Sequence, residues 1–129
     1  MSGSTATNLI SSMRTVGVPV SDQDRALDFY TGVLGMTASM NVDLGGGRRW
    51  IEVTPAAGGT TIALVAAKPD APAGHETGIR LCTPDADALH GHLLDHGVST
   101  DEVLRWPGVP PMFAFRDLDG NGLEIVQDS

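Results

Sequence analysis

One pattern occurs twice in this chain: an alternating apolar run, a small polar residue, an amphipathic stripe, then a glycine. In the first copy Val16, Val18 and Val20 alternate with Thr15, Gly17 and Pro19, the period of two expected of a strand with one buried face. Ser21 then reads as a helix N-cap with Asp24 as its capping-box partner. Ala26, Phe29, Tyr30, Val33 and Leu34 recur at helical spacing, and Gly35 stands where a left-handed C-cap belongs. In the second copy Ile79 and Leu81 alternate with Gly78 and Arg80. Thr83 caps, Pro84 opens the helix, Ala86, Leu89 and Leu93 form the stripe, and Gly97 closes it. The two caps lie 62 positions apart (83−21), and so do the two glycines (97−35). A duplicated unit is the direct reading.

The rest of each unit reads as strands. Thr37–Val42, Arg48–Thr54 and Thr60–Ala66 are separated by the glycine turns Gly45-Gly46-Gly47 and Gly58-Gly59. The second unit ends with short strands near Val98, over Met112–Arg116 and over Leu123–Gln127, with Asp119-Gly120-Asn121-Gly122 as the last hairpin turn. The predicted fold class is α+β: two βαβββ modules in one chain, forming a curved mixed sheet around a cleft with the helices on its outer face. The chain of 129 residues fits one compact domain. Within it, residues 1–12 are expected to be a disordered N-terminal tail, 13–67 the first module, 68–77 a linker carrying Pro69, Pro72 and Gly74, and 78–129 the second module.

Alternation also sorts side chains between the faces of the sheet. One set is apolar throughout: Val16, Val18, Val20, Ile51, Val53, Ile62, Leu64, Ile79, Leu81, Phe113, Phe115, Leu123 and Ile125. The amphipathic helices cover it. The opposite set mixes small residues (Gly17, Ala63, Gly78, Ala114) with Thr15, Thr61, Trp50, Glu52, Arg80, Cys82, Met112, Arg116 and Glu124. Small residues leave room and a few polar groups orient a ligand, so this face is the candidate pocket, with a subunit interface or a plain solvated face as the alternatives.

Charge and cysteine content narrow the partners. Eight Lys and Arg against sixteen Asp and Glu give a formal charge of −8, which repels a phosphate backbone and disfavours nucleic acid. Cys82 is the one cysteine, so neither an intramolecular disulfide nor a Cys-based zinc cluster is available, and a buried, inert thiol is expected. The apolar runs are strand-sized, with none of membrane-spanning length. The N-terminal residues lack the basic and apolar regions of a secretion signal, and a cytoplasmic setting is expected. Gly45–Gly47 has no following Lys-Ser/Thr pair and reads as a turn, not a phosphate loop. His90, His92 and His96 cluster on the second helix without an acidic partner at fixed spacing, and suit a helix C-terminus without any metal.

The segments VPVSDQDRALDFYTGVLGM (Val18 to Met36), TPDADALHGHLLDHGV (Thr83 to Val98) and FRDLDGNGLEIV (Phe115 to Val126) resemble the glyoxalase/bleomycin-resistance/extradiol-dioxygenase superfamily, the vicinal oxygen chelate proteins. The resemblance implies paired βαβββ modules curving around a cleft, usually in a homodimer. It also implies a test, because metal-dependent members place ligands at four cleft-facing positions. By motif those positions are Thr15, Ala63, Gly78 and Glu124 here, and only Glu124 is a strong ligand.

The expectation is therefore a small-molecule-binding protein without a cofactor, sequestering an antibiotic or an aromatic metabolite. Its ligand-binding residues would be Trp50, Glu52, Arg80, Trp106, Met112 and Glu124, with an Arg80–Glu124 ion pair where a metal would sit. Trp106, held among prolines, is either a rigid lid or a contact for a partner subunit. The alternative is a metal-dependent isomerase, lyase or dioxygenase, its divalent ion held by Glu124, Glu52 and His75.

Overall fold

The first apolar run forms strand β1, Thr15–Val20, in the computed structural model, which describes residues 7–128. The predicted tail falls partly on residues 1–6, outside the described ones. Helix α1 spans Gln23–Asp28 and passes without a break into a π-helical turn, Phe29–Val33. Its N-cap is Asp22, whose carboxylate accepts from Arg25 N at 3.1 Å, and not Ser21. The Ser21 backbone N–H is instead drawn to the Asp119 carboxylate, 3.0 Å away in the second module. The first module continues with β2 (Thr37–Gly45), β3 (Arg48–Thr54) and β4 (Thr61–Ala66).

The second module holds β5 (Glu76–Thr83), α2 (Ala86–Asp95), β6 (Met112–Arg116) and β7 (Gly122–Gln127). Here too the cap sits deeper than the first small polar residue. Asp85 accepts from Ala88 N at 3.0 Å, while Thr83 bonds Asp85 N at 3.3 Å and shapes the entry. Aspartate wins in both modules because it brings a full charge to the helix N-terminus. Strand β5 begins inside the segment read as linker. The strand expected near Val98 does not form, and two isolated bridges, Thr100 to Phe115 and Leu104 to Met112, take its place beside β6.

Both helices end on the predicted glycines. Gly97 is left-handed (φ 71°), with Val98 N donating to Leu93 O and Gly97 N to Leu94 O, both at 3.0 Å. Gly35 is also left-handed (φ 72°), but the π turn widens the return by one residue, so that Met36 N reaches Tyr30 O at 3.0 Å.

The predicted curved sheet is divided into two mixed sheets. The order is β1-β4-β3-β2 in one and β5-β7-β6 in the other, with β1/β4 and β5/β7 parallel. The face sorting holds. Val18, Val20, Ile51, Val53, Ile62, Leu64, Phe113, Phe115, Leu123 and Ile125 are all buried in one core with Ala26, Phe29, Tyr30, Ala86 and Leu93 from the helical segments. Val16, Ile79 and Leu81 are only half-buried.

The loop read as a plain hairpin turn, Asp117 to Gly122, ties the modules together. The Tyr30 hydroxyl donates to Asp117 Oδ2 at 2.8 Å, and Asn121 Nδ2 donates to Asp117 Oδ2 at 3.0 Å and to Pro19 O at 2.8 Å. Asn121 Oδ1 accepts from Gly74 N at 2.7 Å, and Asp117 Oδ1 accepts from the backbone of Asp119 and Asn121. Tyr30 and Asn121 are fully buried and every polar group among them is paired.

Candidate functional site

Strand register builds the helix-free face of the larger sheet from rows of opposed residues. Met40 faces Glu52, Glu52 faces Ala63, and Ala63 faces Gly17, so one row runs Met40-Glu52-Ala63-Gly17 across the four strands. In the two rows that flank it, Val42 lies opposite Trp50 on one side, and Thr15 lies opposite Thr61 on the other. The middle of the face is therefore a carboxylate between two small residues. An open depression of about 740 Å³ lies over it, walled by Met13, Arg14, Ser39, Met40, Thr54 and Thr60.

Glu52 is 3% exposed, an unusual position for a carboxylate on a sheet surface. Its charge is held by donors on all sides. The Trp50 indole N–H donates to Oε2 at 2.6 Å, Thr61 Oγ1 donates to Oε1 at 2.8 Å, and Arg14 Nη2 donates to Oε2 at 3.4 Å. The Trp50 bond, then the Thr61 bond, hold the carboxyl below the usual glutamate range, with Arg14 adding to them against the opposing effect of burial. Of these partners only Trp50 and Glu52 were picked out from sequence as ligand-binding residues. Thr61 was placed on the right face without a role, and Arg14 carried no signal because it precedes the first strand.

The smaller sheet repeats the layout. Arg80, Glu124 and Ala114 are neighbours across β5, β7 and β6, and Cys82, Val126 and Met112 form the next row. Arg80 Nε lies 3.1 Å from Glu124 Oε2, an ion pair. The predicted ion pair is present, but its side chains are 64% and 39% exposed, so it is a surface pair. Cys82 is exposed, which corrects the expectation of a buried thiol: it lies on edge strand β5, and its side of the sheet carries no helix. Trp106 is 58% exposed in the loop after Leu104, which the ion pair of Arg105 with Asp87 ties to α2. The six candidate ligand-binding residues thus fall into two groups, Trp50 with Glu52 on one sheet, and Arg80, Glu124, Met112 and Trp106 on or beside the other.

A second depression, about 530 Å³, lies on the helix side between α1, the π turn and the end of α2, with Phe29, Val33, Arg25, His96 and Arg116 in its walls. Sequence patterning had no means of finding it, because it lies between elements distant in the chain.

The chain matches the model of the Glyoxalase/Bleomycin resistance protein/Dioxygenase superfamily over residues 12–125. It belongs to that superfamily. A superfamily member from Sphaerobacter thermophilus DSM 20745 superposes with a TM-score of 0.86 at 31% identity, covering 93% of this chain and 99% of that one. TnmS3, an antibiotic binding protein from Streptomyces sp. CB03234, gives 0.83 at 35% identity, covering 93% and 98%. Lactoylglutathione lyase from Agrobacterium tumefaciens shares the fold at 19% identity, with a TM-score of 0.66 and coverage of 92% and 94%. No curated protein matches the chain.

The residues of this glyoxalase-superfamily chain do not fit a divalent ion. Ala63 and Gly78 offer no ligand atom, the Thr15 hydroxyl donates to Thr61 O at 3.3 Å, and Glu124 is engaged by Arg80. Glu52 has donors on both oxygens, and among the described residues no three His, Cys, Asp or Glu side chains converge. The alternative set Glu52, Glu124 and His75 is therefore not assembled within the described chain. His90, His92 and His96 each pair through a ring nitrogen with a backbone carbonyl, of Asp101, Val33 and His92 respectively.

Proposed function

We propose that this protein binds and sequesters a small, partly aromatic molecule, such as an antibiotic, without using a metal ion. The observation that carries the reading is the Arg80–Glu124 pair. Of the four positions where the resemblance implies metal ligands, the one with a ligand side chain is neutralised by a guanidinium at 3.1 Å. A guanidinium and a divalent ion compete for the same carboxylate lone pairs, and with no ligand atom on Ala63 or Gly78 to recruit a metal, Glu124 is left to the guanidinium. The 35% identity with an antibiotic binding protein over nearly the whole of both chains supports the binding of a small molecule.

In this reading Trp50, Met112 and Trp106 form apolar walls, and Glu52, Arg80 and Glu124 are polar anchors. These residues sit on two sheets, and each sheet presents its own side to the outside, with Val42 (40% exposed) on one and Leu104 (44% exposed) beside the other. A second copy of the chain, its smaller sheet set against the larger sheet of the first, completes each cleft. In this reading the protein is a homodimer, and the cytoplasm is its expected setting.

Isothermal titration against a panel of aromatic antibiotics tests the reading directly, with elemental analysis of protein purified without chelator alongside it. Saturable binding by metal-free protein is expected. A stoichiometric metal that disappears in a Glu124→Gln variant overturns the proposal. Sedimentation equilibrium tests the dimer, and a monomer at tens of micromolar removes the paired cleft.

A further inference from the structure

The depression over the larger sheet contains one buried acid and one loosely held base. Glu52 is 3% exposed and its two short hydrogen bonds come from neutral donors, Trp50 and Thr61. Arg14 is its one cationic partner among the described residues. That side chain is 74% exposed and lies at 3.4 Å, a long contact for an ion pair. Exposed arginine gains little from such a contact, because it loses rotamer freedom and shares its charge with water. A carboxylate out of water gains far more from a cation that seats well.

Glu124 differs, being paired at 3.1 Å and itself 39% exposed. Asp117, the other buried carboxylate, accepts from Tyr30, Asn121 and two loop amides and serves the fold. Glu52 alone combines burial, an open depression above it and a replaceable partner.

We propose that Arg14 is a displaceable stand-in for the ligand, and that the site takes an organic cation whose protonated amine sits on Glu52. Arg14 then swings into water, and the apolar body of the ligand lies against the thioethers of Met13 and Met40. The hydroxyls of Ser39, Thr54 and Thr60 line the same wall, donating to Glu52 O, to Ser39 Oγ and to Met13 O respectively, and their remaining lone pairs face the ligand's polar edge. The net charge of −8 raises the local concentration of such a ligand. This assignment rests on the binding function proposed above and adds the charge and the anchoring atom.

Tryptamine and neutral N-acetyltryptamine, which share one indole body, test it by titration calorimetry. The protein has two tryptophans, so the Trp50 indole N–H, bonded to Glu52, is readily assigned in a proton–nitrogen correlation spectrum. Tryptamine is expected to bind at least about tenfold more tightly than its acetylated form and to shift the Trp50 resonance. Arg14→Gln removes an exposed competitor and should strengthen tryptamine binding by about threefold. Glu52→Gln should abolish the preference for the amine. Weaker binding in Arg14→Gln overturns the assignment, and that exposed variant is informative even if Glu52→Gln fails to fold. Equal binding of both probes with a shifted Trp50 resonance also overturns it, while leaving the binding function intact. Failure of both probes to bind at millimolar concentration overturns the assignment, and the binding function then stands or falls with the antibiotic panel.

Discussion

Raising the pH should destabilise this protein through a single residue. Tyr30 is the only tyrosine and is fully buried. Burial, then the negative charge of Asp117 and the hydrogen bond to it, push its phenol far above the ordinary value of 10.0. The folded chain therefore keeps the proton while the unfolded chain releases it. Stability contributed by a raised folded value is complete below the unfolded value and lost as pH rises through the window above it. Between about pH 10 and pH 11.5 the slope rises from about half to nearly all of its limit of ~1.4 kcal/mol per pH unit, so about 1.6 kcal/mol disappears over the interval. Urea midpoints taken across that range measure it, and tyrosinate absorbance near 295 nm should rise only together with unfolding. Tyr30→Phe should lack the slope. At neutral pH the same variant loses a hydrogen bond to a buried carboxylate, a cost of about 2 kcal/mol. Tyrosinate absorbance in protein still folded by circular dichroism, or a Tyr30→Phe variant with the wild-type alkaline slope, would refute the reasoning.

Glu52 gives the opposite limb. Its folded value is lowered, so its contribution is present above the unfolded value near 4.5 and lost as pH falls through the folded one. Urea midpoints between pH 5 and pH 3 should fall less steeply in Glu52→Gln than in wild type. Breaking the exposed Arg80–Glu124 pair with Arg80→Met should change stability by at most about 0.5 kcal/mol while altering ligand affinity, and a larger loss on urea denaturation places the pair in the fold instead. Gly74→Ala should cost more than about 1 kcal/mol by the same measurement, since Gly74 has φ 93° and an added Cβ would meet Asp119 O at 3.2 Å.

Much of the architecture was legible because burial imposes a period. Val18 and Val20, Ile51 and Val53, and Phe113 and Phe115 all lie in the core where alternation placed them, and Gly35 and Gly97 close their segments in the left-handed region. The caps were misplaced because serine, threonine and aspartate compete within two or three residues, and the choice depends on where the chain enters the helix. Asp22 and Asp85 won that competition, leaving Ser21 and Thr83 to other partners. The candidate site was legible in half. Register brought Arg80 beside Glu124, and Glu52 onto the face opposite the core, by counting alone.

Periodicity and punctuation are local properties, and they determined two like modules and the helix-covered face. Tertiary structure alone decided that Glu52 would be buried and Cys82 exposed, that Arg14 would reach a carboxylate 38 positions away, and that the Asp117–Asn121 loop would lock onto Tyr30 and Pro19. Those outcomes depend on which atoms from distant segments meet and how much water they exclude. A one-dimensional pattern carries no record of either.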